Sequence, residues 1–154
     1  TGSKALGVAV ALLDGGKGIG AVLFAYLTAQ ATGGDLLWAQ GVAITGAVLG
    51  HNHPLFLGFR GGKGLSTGGG ALLLIQPLIL LFWGIAFFTI VGLSRYLIVA
   101  QALATALLPV VAMVIAPEYL WVIAAPVAFI VVRHLPRLAG VFRGTEPRMY
   151  YKPR

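Results

Sequence analysis

The stretch 50-GHNHPLFLGFRGGKG-64 decides how this chain is read. Two histidines, an arginine, a lysine and five glycines fall between 41-GVAITGAVL-49 and 71-ALLLI-75, segments apolar enough to sit in lipid. A polar, glycine-rich loop held between such segments marks both a chain reversal and a place for chemistry. Its surroundings set the class. The chain has 154 residues, of which 58% are hydrophobic and 10% charged, and its mean hydropathy is +0.92. That leaves too little polar surface to cover a water-soluble globule.

A helix crosses the hydrocarbon with about 20 residues. The apolar runs predict crossings at 5–31, 36–51, 65–76, 77–93, 96–116 and 118–135. An open strand in lipid would leave backbone polar groups unpaired, so every crossing is read as a helix. The expected architecture is an all-α, polytopic membrane bundle of about six helices. It forms one membrane domain over residues 1–154, ending in a short basic tail. Breaks are expected at Gly33-Gly34-Asp35, the 50–64 loop, Gln76-Pro77, Leu93-Ser94-Arg95 and Pro117-Glu118. The start, TGSKALGVAVALL, lacks both Met and the pattern of a cleaved signal, and reads as the beginning of a fragment.

Charge orients the bundle. With alternating crossings, Lys4, the 50–64 loop, Arg95 and the tail 133-RHLPRLAGVFRGTEPRMYYKPR-154 share one side, while the other side carries Asp35 and Glu118. The positive-inside rule makes the basic side cytoplasmic. Arg148, Lys152 and Arg154 are read as serving topology and attraction to anionic lipid. The net charge of +7 is spread along the membrane face without a recognisable binding module, which argues against nucleic acid as a partner. With no cysteine, disulfide and thiolate chemistry are excluded.

The loop itself points to phosphate. Gly61, Gly62 and Gly64 allow the backbone to turn successive N–H groups toward an anion, and Lys63 and Arg60 add positive charge. A helix starting near Leu65 aims its positive end at the same place. This is not a nucleotide loop of the Walker type: Gly64 stands where Ser or Thr is needed, and Leu57 where the first glycine is needed. The four carboxylates, Asp14, Asp35, Glu118 and Glu146, are also few for magnesium-nucleotide chemistry. His51, His53 and His134 complete no familiar metal set, so no metal is expected, and they are read as partners for a phosphate or hydroxyl, or as interface residues. In 12-LLDGGKGIG-20, Asp14 and Lys17 share a helix face and can pair. An ion pair within a crossing faces the protein interior or a wet cavity, either as a structural element beside close-packed glycines or as part of the site.

Taken in order, the residues resemble one family. Asp14, Lys17 and Gly18 are followed by Gly50, His51, Pro54, Phe56, Phe59 and Arg60 to Gly64, then Ser94 to Tyr96, then Arg133 and His134 with Arg143 to Pro147. This series is similar to the bacterial acyl-phosphate:glycerol-3-phosphate acyltransferases over essentially the whole chain. The resemblance implies a seven-helix enzyme of the bacterial inner membrane with its active face cytoplasmic. Such an enzyme moves a fatty acyl group from acyl phosphate to the first hydroxyl of glycerol 3-phosphate, without a cofactor, giving lysophosphatidic acid for phospholipid synthesis. Its partners would be those two substrates and membrane lipids.

The resemblance further implies substrate binding by Asp14, Lys17, His51, Arg60, Gly61, Gly62, Lys63, Gly64, Arg95 and Arg137. His134 would be the general base or would orient the substrate. Lys63, with the glycine N–H groups, would stabilise the leaving phosphate. Glu146 would anchor the tail, against Arg60 or Arg143. Three departures stand beside the match. The family has a further helix and an S-G-N-x-G-A-T-N-x-x-R motif ahead of the region where Thr1 falls. It usually has Ser where this chain has Ile98, and Asn where it has Arg137. Two other readings follow from these: a diverged, catalytically weak paralogue that binds a phosphate-bearing lipid or metabolite, and a small anion transporter.

Overall fold

A computed structural model describes residues 3–59 and 61–149. Seven helices follow one another: α1 (Lys4–Thr32), α2 (Leu36–Asn52), α3 (Leu65–Ile75), α4 (Pro77–Ser94), α5 (Leu97–Ala106), α6 (Leu108–Ile115) and α7 (Leu120–Phe142), with short 3-10 turns at Leu55–Leu57 and Pro117–Tyr119. The expected breaks are present, and each has a local cause. Gly33 closes α1 in the left-handed conformation. The Asp35 carboxylate caps α2 by accepting from the Trp38 N–H at 2.9 Å. Pro77 takes the first turn of α4, where its missing N–H has no role. Arg95 ends α4 with φ 61°.

Four helical stretches are long and apolar enough to cross a membrane unaided: Ala5–Thr32, Pro77–Ser94, Leu97–Ile115 and Pro117–Phe142. The crossing expected at 96–116 is built as α5 and α6, separated at Leu107. Pro109, at the second position of α6, cannot donate to the Thr105 carbonyl, and this breaks the ladder there. The last crossing runs past Pro136 to Phe142, so residues 136–142, expected in the tail, are helical.

The crossing expected at 65–76 is corrected. At 11 residues, α3 spans roughly 16 Å, well short of a hydrocarbon layer of about 30 Å. Its first residue follows Gly64, whose side-chain position would face Val48 and Ile130. Ile130 lies ten residues into α7, roughly 15 Å from the start of that helix. The chain at Gly64 therefore lies inside the bundle, while Leu55, Phe56 and Phe59 before it stay exposed, and α3 runs only from mid-depth to the far end.

Packing follows membrane logic. Leu81, Phe82, Ile85 and Phe88 of α4 face outward, and the buried seams are rich in small residues, including Ala25, Ala71, Ala100, Ala104, Ala112 and Ala116. α1 and α3 approach most closely through glycine: a side chain on Gly18 would strike the Thr67 main chain, and one on Gly70 the Gly15 main chain. Gly41 makes room for Trp121, which packs on Trp38 with centroids 4.6 Å apart. Between α4 and α5, the Trp83 indole donates to Thr105 Oγ1 at 3.0 Å.

Candidate functional site

The polar residues gather at one end of the bundle, on the two flanks of the 61–64 loop. On the α1–α2 flank, Asp14 Oδ1 lies 2.8 Å from Lys17 Nζ and 3.3 Å from His51 Nδ1. The ion pair expected from the three-residue spacing is present, and it carries a histidine as well. Asp14, Lys17 and His51 line an open cleft together with Gly61 and Gly62. The glycines are needed here. The Gly62 N–H donates to the His51 carbonyl at 3.2 Å, and a side chain on Gly62 would strike the His51 ring, while one on Gly61 would strike the His51 carbonyl. The loop thus lies flat against the end of α2.

On the α7 flank, Lys63 is half-buried and within electrostatic reach of Arg137 and Glu146. Burial pushes its pKa below the usual lysine value, the Arg137 charge lowers it further, and Glu146 opposes both. His134 is wholly buried, at 0% exposure, and feels the charges of both Lys63 and Arg137. Its Nδ1 stands 2.7 Å from the Ile130 carbonyl. A carbonyl only accepts, so Nδ1 carries the proton and Nε2 presents a lone pair. Nε2 has no hydrogen-bond partner among the described residues.

Arg137 and Glu146 form an ion pair through two hydrogen bonds, from Nε at 3.2 Å and from Nη2. Glu146 does anchor the tail, as expected, but its partner is Arg137 rather than Arg143, because α7 continues to Phe142 and the chain then turns back through Gly144, with the Glu146 N–H on the Gly140 carbonyl at 3.2 Å. Arg60 lies outside the described residues. Arg137, expected among the substrate-binding residues, has its guanidinium engaged by this same pair. Arg95 is exposed at the α4–α5 turn, where its carbonyl accepts from the Met149 N–H at 2.8 Å. Next to it, Arg148 donates to the Tyr96 hydroxyl at 3.0 Å and lies over its ring. The tail is thereby strapped to that turn. Ile98 is buried and has no polar atom to offer a ligand.

Three residues escaped the sequence reading. Arg133, noted only as the neighbour of His134, donates to the carbonyls of Asn52 (3.1 Å), Gly61 (3.3 Å) and Gly62 (3.4 Å). One guanidinium from α7 thus gathers the carbonyls on one side of the loop, and its position beside His134 was the available signal. Asn52 and Thr67 are buried polar side chains without hydrogen-bond partners among the described residues; Asn52 sat unremarked between two conspicuous histidines. Below Gly64, a small apolar cavity of about 60 Å³ runs between α3, α4, α5 and α7, past Gly68, Trp83, Thr105 and Ile130. Among the described residues, no three His, Asp or Glu side chains gather as a metal site would need.

Known proteins are similar to this chain in sequence and fold. A family model described as glycerol-3-phosphate acyltransferase matches residues 1–144. A glycerol-3-phosphate acyltransferase of Staphylococcus saprophyticus is 32% identical over 150 residues, covering 95% of this chain and 74% of that protein. One from Staphylococcus aureus is 33% identical over 147 residues, covering 93% and 73%. Crystal structures of PlsY (YgiH), an integral membrane glycerol 3-phosphate acyltransferase, are similar in fold at 31% identity. The lysophosphatidic acid form has a TM-score of 0.77 over 94% of this chain and 73% of that one, and the glycerol 3-phosphate form has 0.75 over 94% and 72%. The fold of this membrane bundle therefore has solved counterparts, and this chain belongs to the glycerol-3-phosphate acyltransferase family.

Proposed function

We propose that this chain transfers a fatty acyl group from acyl phosphate to the first hydroxyl of glycerol 3-phosphate, giving lysophosphatidic acid and phosphate. The observation that carries the proposal is the loop turned inward between two polar flanks, with an apolar cavity beneath it. Both substrates bear phosphate and one also bears an alkyl chain. Lys63 and the helix start at Gly64 suit a phosphate, and the apolar, outward-facing helix surfaces beside the site suit the tail.

In the reaction, the acceptor oxygen bonds to the acyl carbonyl carbon, the bond from that carbon to the phosphate oxygen breaks, and phosphate departs with the electron pair. His134 Nε2, its lone pair freed by the Nδ1–H···Ile130 bond, is suited to take the hydroxyl proton and pass it to the departing phosphate. Lys63 and the Gly61 and Gly64 backbone counter the charge developing on that phosphate, whereas the Gly62 N–H, expected to face the anion as well, is committed to the His51 carbonyl. Lys17 and His51, steadied by Asp14, hold the second phosphate on the other flank. Arg95 assists from the turn, and Arg137 joins only when it leaves Glu146. No cofactor takes part. The chain is one membrane domain of the bacterial inner membrane, with the loop and the basic tail on the cytoplasmic side, where the positive charge collects.

A second reading, binding with little turnover, is favoured by two observations: Ile98 offers no donor, and Arg137 is held by Glu146. One experiment separates the two. The purified chain in lipid nanodiscs is given acyl phosphate and glycerol 3-phosphate, and lysophosphatidic acid and phosphate are measured. Stoichiometric production of both, lost in His134→Ala, supports transfer. Binding of glycerol 3-phosphate without product supports the second reading, and neither binding nor product refutes both.

A further inference from the structure

Asn52 is the last residue of α2 and has no exposure at all, yet among the described residues neither its amide oxygen nor its amide nitrogen finds a hydrogen-bond partner. A buried, unpaired amide destabilises a fold, and an apolar side chain of similar size would serve α2 better. Its position is nonetheless tightly fixed. Its carbonyl accepts from Arg133 Nη2 at 3.1 Å. Its Oδ1 lies 2.9 Å from where a side chain on Gly64 would begin, and Ile130 approaches the same point at 3.5 Å.

Gly64 caps α3 with φ 77° and offers no capping side chain, so the first N–H groups of that helix have no side-chain acceptor at the cap. The Ile130 carbonyl is the one that orients His134. The Asn52 amide therefore stands at the meeting point of the α3 N-terminus and the helix turn that carries the catalytic histidine. A half-turn of the amide exchanges its nitrogen and oxygen, and no existing bond opposes that turn.

We infer that Asn52 is a phosphate-binding residue of the loop, its amide nitrogen donating to a phosphate oxygen held at the start of α3. The inference rests on the phosphate reading proposed above. The residue type fits the electrostatics. Lys63 and Arg137 already repel one another across this space, so a third cation would add repulsion, whereas an amide adds two donors and no charge. The chemistry recognised is a phosphate group, carried by glycerol 3-phosphate, by acyl phosphate or by free phosphate.

The test uses the full chain in nanodiscs with Asn52→Leu, Asn52→Asp and Lys63→Ala. Melting is recorded without ligand, and affinity is titrated separately with glycerol 3-phosphate, inorganic phosphate and an acyl phosphate. Asn52→Leu is expected to raise Tm, because it removes the unpaired amide, and to weaken phosphate binding about tenfold or more. Asn52→Asp should weaken it further through repulsion. Loss shared by all three ligands assigns the common phosphate, and loss confined to acyl phosphate assigns the donor. Affinities within twofold of the parent for Asn52→Leu, or equal for Asp and Asn, overturn the inference while Lys63→Ala still weakens binding. A lower Tm or misfolding of Asn52→Leu overturns it too, by showing that the fold needs the amide. If Lys63→Ala also leaves binding unchanged, the phosphate reading of the loop itself fails.

Discussion

Replacing Arg133 with Ala should separate positioning from binding. Its guanidinium makes three bonds to loop and helix-end carbonyls. Only the 3.1 Å bond to Asn52 falls in the usual range for an N–H···O bond; those at 3.3 and 3.4 Å are weaker. A well-formed bond to a charged group contributes about 1.5–3 kcal/mol. One such bond and two weak ones together hold the loop by about 2–4 kcal/mol.

After the change, the Gly62 N–H still donates to the His51 carbonyl, so the loop loosens rather than detaches. A shift of about 1 Å in a reacting group costs roughly a hundredfold in rate. We expect kcat for lysophosphatidic acid formation to fall about 30- to 100-fold, or about 2–2.7 kcal/mol of barrier. KM for glycerol 3-phosphate should change less than about fivefold, because the flexible Lys63 stem follows its ligand. Arg133→Lys should recover little, since an ammonium cannot span three carbonyls as a planar fork does. Initial rates over a grid of both substrate concentrations give the two constants separately. A kcat for Arg133→Ala within threefold of the parent, in folded protein, would refute the reasoning.

Four further outcomes are expected. Lys63→Ala should weaken glycerol 3-phosphate binding by about 1.5–3 kcal/mol, measured by calorimetry in nanodiscs; unchanged affinity would remove Lys63 from the site. Because burial lowers the Lys63 pKa, its ammonium is lost below the usual lysine range near pH 10.4. Affinity for a phosphate dianion should therefore fall as pH rises through that lowered value, while the fold is relieved of a buried charge over the same window; an identical decline in Lys63→Arg would contradict this. Gly18→Ala should destabilise by about 1–3 kcal/mol, because its methyl group would drive α1 from the α3 main chain. Gly16→Ala, with nothing near it, should be neutral or stabilising, and equal Tm values for the two variants would show that the glycine seam does not set the α1–α3 distance. Finally, a single cysteine at Gly58 should be unreactive to an impermeant thiol reagent applied outside intact cells, and labelling there would reverse the proposed orientation.

Much of the fold was legible because each break is written in residues that act locally. Gly33 and Asp35 stop one helix and cap the next, Pro77 opens α4, and Pro117 ends the α5–α6 rod. The Asp14–Lys17 pair was equally legible, since residues three apart share a helix face. The apolar run after Gly64 looks like any other crossing in composition. Its shortness comes from the loop turning inward, and that depth depends on glycine contacts between α1 and α3 that no local pattern encodes.

The site divides the same way. The sequence by itself determined the membrane class and, through the ordered motifs, the family, because these depend on residue type and spacing alone. The tertiary structure decided which cation meets which anion. Glu146 could have paired with any of several arginines, and the turn after Phe142 brings it to Arg137. Arg133 holds the loop because residues 71 to 81 apart in sequence meet there, and long-range pairings are set by packing rather than by local propensity.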